Sequence, residues 1–348
     1  GVACAVIFEI RDGIYDEQIK LYEISGSSPA NTITFHGESR DSSLVQLHYT
    51  TSNPSNDFTL AITGSDYISF EDMSVLRTNG TNSVIIQNES NFVRFESCQL
   101  GNVVSPNTSV DANLTFRENN MEGYDLNLQH PDNTNAGTVV IENNDLRHLT
   151  ITNSNPVTVI GNGINDVNGY AFDFKINRSR NIEVSDNRMR RLIANNDTSI
   201  SIQNNTIYRS ESYNFNQFPG VYAENTSHIE VLRNHITQRN TASFNAYSRG
   251  VELVNVSSSL VSNNNIFVYT GGGNRPGNSI GIYIREASTR NIEITDNTIE
   301  NTSNRDARYG MIINKGDSIY VRRNTMNGTD FNMPGYGMQC TGVIGLIE

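Results

Sequence analysis

The chain has 348 residues, a length that suits one large domain or two small ones. Hydrophobic residues make up 36% and charged residues 18%, and Asn, Ser, Thr and Gly fill the difference, which fits an all-β protein rich in polar turns and not a helical one. The formal net charge of -12 argues against a nucleic-acid partner, and no apolar run approaches the ~20 residues of a membrane span.

The chain opens at Gly1 with neither an initiator Met nor a signal peptide, and reads as the mature or trimmed piece of a longer precursor. The stretches "FEIRDGIYDEQIKL" (Phe8–Leu21) and "NTITFHGES" (Asn31–Ser39) supply the first strands. Residues 1–67 are expected to form a capped start, 68–168 coils with short loops, and 169–348 coils with long loops, all within one domain spanning 1–348. The three cysteines, Cys4, Cys98 and Cys340, make no disulfide framework and no CxxC pair, and the six histidines show no metalloprotease spacing. Cys98 and Cys340 fall at inward positions and are expected to be buried thiols.

From Ile68 onward one short template recurs: two alternating apolar positions, two polar residues, an Asn, then alternation again. "LTFRENNM" places Asn119, and "VVIENNDL", "VTVIGNGI" and "IEVSDNRM" place Asn144, Asn162 and Asn187. "ISIQNNTI", "IEVLRNHI" and "SLVSNNNI" place Asn205, Asn234 and Asn264, and "IEITDNTI" and "IYVRRNTM" place Asn297 and Asn324. Two earlier copies carry Met73 and Cys98 at that place, and the steps between marks run from 18 to 33 residues. Periods of this size belong to solenoids. Within the template the pattern is strand, tight bend, strand. Asn tolerates the left-handed conformation of a bend, and a stacked column of Asn amides pairs with itself.

A leucine-rich horseshoe shares part of this template but needs a more regular period and more leucine. A third strand settles the reading. "GVYAEN" from Gly220, "GVELVN" from Gly250, "GIYIRE" from Gly281 and "GMIINK" from Gly310 each precede a copy of the template, and "GMQCTG" from Gly337 opens a last coil. Three strands per turn without a helix define a single-stranded right-handed parallel β-helix of about twelve coils. With its opening strand, Gly-x-Tyr-x-Glu-like turn and second strand, the chain resembles secreted right-handed β-helix proteins of the pectate-lyase-like superfamily. That resemblance covers nearly the whole chain in architecture and rests on structural motifs, so it implies a fold before it implies a chemistry.

Stacking turns sequence positions into columns. Along the first strand of each coil the outward column reads Lys175, Ile193, Tyr222, Glu252, Tyr283, Ile312 and Gln339; along the second it reads Glu183, Ser201, Glu230, Leu260, Glu293 and Tyr320. The longest insertions, Tyr208–Pro219, Thr237–Arg249, Phe267–Ser279 and Glu300–Tyr309, all precede a first strand, so four successive coils carry long loops on one edge. They hold Tyr208, Tyr213, Phe215, Phe218, Phe244, Tyr247, Arg249, Tyr269, Arg275, Arg305, Arg308 and Tyr309, the aromatic and cationic types that a glycan surface uses. The plain alternative is that these rings pin the loops to the scaffold.

The superfamily resemblance implies polysaccharide chemistry along the first-strand face. A lyase there needs a base and cations that neutralise a uronate carboxylate, and Lys175, Tyr222, Tyr283, Arg249 and Arg285 are the types on offer; across both chemistries Glu252, Tyr283, Lys175 and Arg285 are the candidate catalytic residues. Tyr222, Glu224, Tyr247, Arg249, Arg275 and Tyr309 are the candidate substrate-binding residues. A hydrolase needs two carboxylates a few ångströms apart, and Glu224 and Glu252 in adjacent coils are the pair on offer. No metal site is expected and no cofactor is required; the letters "SDN" and "TDN" leave calcium open, although the Asn column explains them better. "TGGGNRPG" lacks the residues of a phosphate loop. The expected protein is extracellular or surface-exposed, contacts a polysaccharide or surface glycan, and is either a lyase or hydrolase or a non-catalytic adhesin or stalk module. A trimeric tail fibre would need one uninterrupted face, which the columns do not offer. The apolar end "GVIGLIE" points to further domains of the same precursor or to a partner covering it.

Overall fold

A computed structural model describes residues 1–50, 58–77, 82–106, 113–131, 137–164, 174–211, 219–240, 247–270, 278–302, 307–328 and 335–347. The described residues form 36 β-strands and no helix, in a parallel ladder that winds as a right-handed β-helix. The chain gathers into two compact units, Gly1–Val167 and Asn168–Glu348.

In the unit Gly1–Val167 the strands stack in register with alternate residues inward. Phe8, Phe35, Phe70, Phe95 and Phe116 are successive partners across the pairs. Their rings lie nearly parallel with centroids 5.1 to 5.6 Å apart. Phe95 and Phe116 are fully buried, and each such ring contributes about 1.5–3 kcal/mol of burial. Cys98 is buried, its Sγ 3.2 Å from the Glu96 carbonyl oxygen, and burial pushes its thiol up to about 12, an inert group. A short ladder follows it. Asn119 Oδ1 accepts Cys98 N, Asn119 Nδ2 donates to Asn144 Oδ1 at 2.9 Å, and Asn144 Nδ2 donates to Asn162 Oδ1 at 3.0 Å.

In the unit Asn168–Glu348 the same corner holds Asn187, Asn205, Asn234, Asn264, Asn297 and Asn324, joined Nδ2 to Oδ1 at 2.9 to 3.1 Å. Each receiving Oδ1 also takes the backbone N–H of the Asn before it, so one side-chain oxygen satisfies two donors.

The left-handed residue is not the Asn itself. It is the residue before it: Glu118, Asn143 and Gly161 in the first unit, and Asp186, Asn204, Arg233, Asn263, Asp296 and Arg323 in the second, all with φ between 53 and 69°. The kink in the preceding residue turns the Asn inward, where its amide meets its neighbours. Ser97 and Asp72 play the same part before Cys98 and Met73, with φ of 52 and 54°.

Two further expectations need correction. The long loops are shorter than the sequence suggests, because third strands run on through Thr206–Glu211, His235–Asn240 and Asn265–Thr270, and first strands begin at Tyr247, Asn278 and Ala307. Tyr208, Arg249, Tyr269, Arg308 and Tyr309 therefore stand on strands. Cys340 pairs in register with the buried Ile313 but is exposed, because no described residue covers that coil.

Candidate functional site

The first strands of the second unit bring one set of polar side chains together. Val221–Glu224 pairs with Tyr247–Val254, which pairs with Asn278–Arg285. Apolar residues at alternate positions, Val221 with Ala223, Val251 with Leu253 and Ile282 with Ile284, are fully buried and fix the strand faces. The intervening residues point outward at the ~4.8 Å spacing of adjacent strands. One file reads Lys175, Ile193, Tyr222, Glu252, Tyr283, Ile312 and Gln339, and a second reads Asn177, Asn195, Glu224, Val254, Arg285 and Asn314.

Glu252 lies at the centre and is 1% exposed, although its strand position faces out. Two guanidinium groups cover it. Arg249 Nη1 donates to Oε2 at 2.6 Å and Arg285 Nε donates to Oε1 at 2.9 Å. The Arg249 guanidinium also lies 4.9 Å from the centroid of the Tyr283 ring. Arg285 reaches Glu286 Oε1 at 3.1 Å; partial burial works against its charge, but the Glu252 carboxylate outweighs burial and raises its pKa. Above this cluster in the chain, Tyr222 Oη donates to Glu224 Oε2 at 2.8 Å. Burial, then the Glu224 carboxylate, raises the Tyr222 phenol well beyond its ordinary value, so it stays protonated.

This geometry sorts the sequence candidates. Tyr222, Glu224, Arg249, Glu252, Tyr283 and Arg285 converge on three adjacent strands. Lys175 is exposed and separated from Tyr222 by Ile193, two strand spacings or ~10 Å away along the file. Tyr309 is half-buried and separated from Arg249 by Ile280 in register. The backbone of Tyr247 starts its strand, and Arg275, like Tyr213, Phe215, Phe218, Phe244 and Arg305, lies outside the described residues. Tyr269 packs under the Arg239 guanidinium at 5.1 Å, and Arg308 is 4% exposed, so neither offers an open glycan contact.

Glu252 and Glu224 do not form the pair of accessible acids that a hydrolase needs. Glu252 is engaged on both oxygens by arginine, and its strand partner is Tyr222, while Glu224 stands opposite Val254. Glu252 instead fixes the two guanidinium groups in place. Among the described residues no group of three or more His, Cys, Asp or Glu is placed to hold a metal ion.

Two features carried no signal in the sequence. Asn195 buries an Oδ1 without a partner next to Glu224 in its file. In the first unit, Arg147 binds Asp125 through Nε and Nη2, both at 2.8 Å, and His148 Nδ1 meets Asp125 Oδ1 at 2.9 Å. Burial alone would raise the Asp125 carboxyl, but the hydrogen bonds from His148 and Arg147 bring it down to about 2. These residues lie outside the Asn template, so no repeat pointed to them.

The fold defines a right-handed parallel β-helix protein. Residues 191–343, which contain the whole convergent cluster, match the family described as Right handed beta helix region. No curated protein matches the chain significantly by sequence. Solved structures with a similar fold include a mutant of the periplasmic alginate epimerase AlgG, with 13% identity over 94% of this chain and 77% of that one and a TM-score of 0.45. Others are the Dettilon tailspike protein gp208, with 12% identity over 91% and 62% and a TM-score of 0.46, and the Streptococcus pneumoniae surface protein and adhesin PfbA, with 11% over 96% and 91% and 0.39. These likenesses concern the fold alone. No helix among the described residues is long and apolar enough to cross a membrane.

Proposed function

We propose that this protein is an extracellular or surface-exposed polysaccharide-interacting β-helix whose first-strand face, around Tyr222, Tyr283 and Arg285, is the carbohydrate site. One observation carries the reading: six aromatic, acidic and guanidinium side chains, five of them in the outward files and Arg249 reaching Glu252 from the start of its strand, converge on three neighbouring strands. Tyr222 and Tyr283 supply rings for sugar stacking. Arg285, about a third exposed, supplies a fixed cation for an acidic group. If the site is catalytic, an elimination suits it better than hydrolysis. Glu224, already accepting the Tyr222 hydroxyl, is the base within reach, Tyr222 is the proton donor to a leaving oxygen, and Arg285 neutralises the uronate carboxylate. A non-catalytic adhesin is the second reading, favoured by the complete engagement of Glu252 with Arg249 and Arg285, which leaves a static surface.

Incubation with uronate and neutral polysaccharides, reading absorbance of unsaturated ends and reducing sugar, separates the two. Turnover of a uronate polymer that falls at least tenfold in Tyr222→Phe supports the enzyme. Retention of one glycan without any product supports the adhesin. Neither product nor retention on any glycan would overturn the proposal.

A further inference from the structure

The second unit buries a carboxyl group that no cation among the described residues is seen to pair with. Asp197 lies at the corner between the strands Leu192–Asn195 and Thr198–Gln203 and is 2% exposed. Its corner is built like its neighbours. Arg178, Asn196, Asn225 and Asn255 take φ between 51 and 58°, and the residue after each, Ser179, Asp197, Thr226 and Val256, turns inward and is buried.

Where the inward residue of these corners carries a hydroxyl, it donates to the carbonyl two residues back; Val256 is apolar and makes no such bond. Ser179 Oγ donates to Asn177 O at 3.2 Å and Thr226 Oγ1 to Glu224 O at 3.0 Å. The ladder asparagines do the same, as when Asn187 Nδ2 donates to Ser185 O at 2.9 Å. One carbonyl serves two donors, since Glu224 O also accepts Asn196 N at 2.9 Å. Asp197 supplies half of this pattern. Its Oδ1 accepts Ser179 N at 2.7 Å, just as Asn205 Oδ1 accepts Asn187 N. Its Oδ2 is buried without a partner. The carbonyl two residues back, Asn195 O, accepts Arg178 N at 3.0 Å and keeps a lone pair that an ionised carboxylate cannot use.

We propose that Asp197 folds in as a neutral acid, its Oδ2–H donating to the Asn195 carbonyl where other coils use a hydroxyl or an amide, and that loss of this proton as pH rises loosens the corner beside Glu224. This stands independently of the polysaccharide reading. The charged groups on the flanking coils do not relieve the burial. Lys175, Arg178, Arg180 and His228 are exposed, and Glu224 is bonded to Tyr222. On its own coil, Arg191 is buried but forms no hydrogen bond or ion pair with Asp197. Burial lifts the Asp197 carboxyl to about 7, against the pull of the backbone N–H groups of Ser179 and Asn195.

The sign follows from linkage. An acid whose folded pKa is raised holds its proton in the folded state while the unfolded chain ionises. Stability from this group is therefore greatest below the ordinary aspartate value of 3.8, falls as pH climbs towards about 7, and is flat above. Asp197→Asn keeps both hydrogen bonds and has no proton to lose. Thermal unfolding of the wild type, Asp197→Asn and Asp197→Thr is compared from pH 4 to pH 9. The midpoint of Asp197→Asn should equal that of the wild type at pH 4 and exceed it by several degrees at pH 8. Asp197→Thr, which copies the corner at Thr226, should show the same growth of its offset with pH even if its absolute stability is lower. An offset that is constant with pH, or shrinks as pH rises, in both variants would overturn the proposal.

Discussion

Glu252 shows how a side chain's partners override its strand position. Alternation points it outward, and an outward glutamate reads as an accessible acid. Arg249, three residues earlier, and Arg285, one coil on, fold over it and take both oxygens. The first contact joins near neighbours, but the second spans 33 residues, and only the register Glu252↔Tyr283 brings Arg285 into reach. The residue types of the site were thus legible in the sequence, while the pairing that makes Glu252 a positioning group was not. Glu252→Gln retains the shape but presents an amide donor to one guanidinium and removes the charge that both complete. It should cost about 2 kcal/mol of stability, read by chemical denaturation. A loss no larger than that of an exposed-surface control such as Glu230→Gln would show that the two ion pairs contribute nothing net.

At the scale of the coil, the Asn positions were visible because a fixed residue recurs before each resumed alternation. The left-handed position was less visible. It is filled by Asp186, Asn204, Arg233, Asn263, Asp296 and Arg323, three residue types that share no simple pattern. The corner imposes that conformation, at about 1–2 kcal/mol for residues other than Gly, Asn and Asp, and the ladder bonds offset it. Strand ends were also misjudged, since "NIFVYT" continues to alternate into what looked like a loop. Asn234 has the most to lose by substitution. It accepts Asn205 Nδ2 and Asn205 N, and donates to Asn264 Oδ1 and Ile202 O. Asn234→Ala leaves these buried groups unpaired and should cost about 3 kcal/mol, with Asn234→Ser losing less. Equal midpoints for wild type and Asn234→Ala in urea would refute the structural weight given to the ladder.

At the scale of the molecule, a solenoid supplies a scaffold whose outward columns are free to vary, because its stability comes from the inward ones. That is why the fold could be read from a repeat and why the repeat says so little about chemistry. The functional argument rests on a single face of the second unit, with Arg285 as its open cation. The most direct measurement compares retention of wild type, Arg285→Ala and Glu230→Ala on the glycan that the wild type binds best. Glu230 is exposed on the second-strand face of the same unit and serves as the control. The account predicts at least a tenfold weaker Kd for Arg285→Ala and an unchanged one for Glu230→Ala. Equal binding by Arg285→Ala and wild type would contradict it.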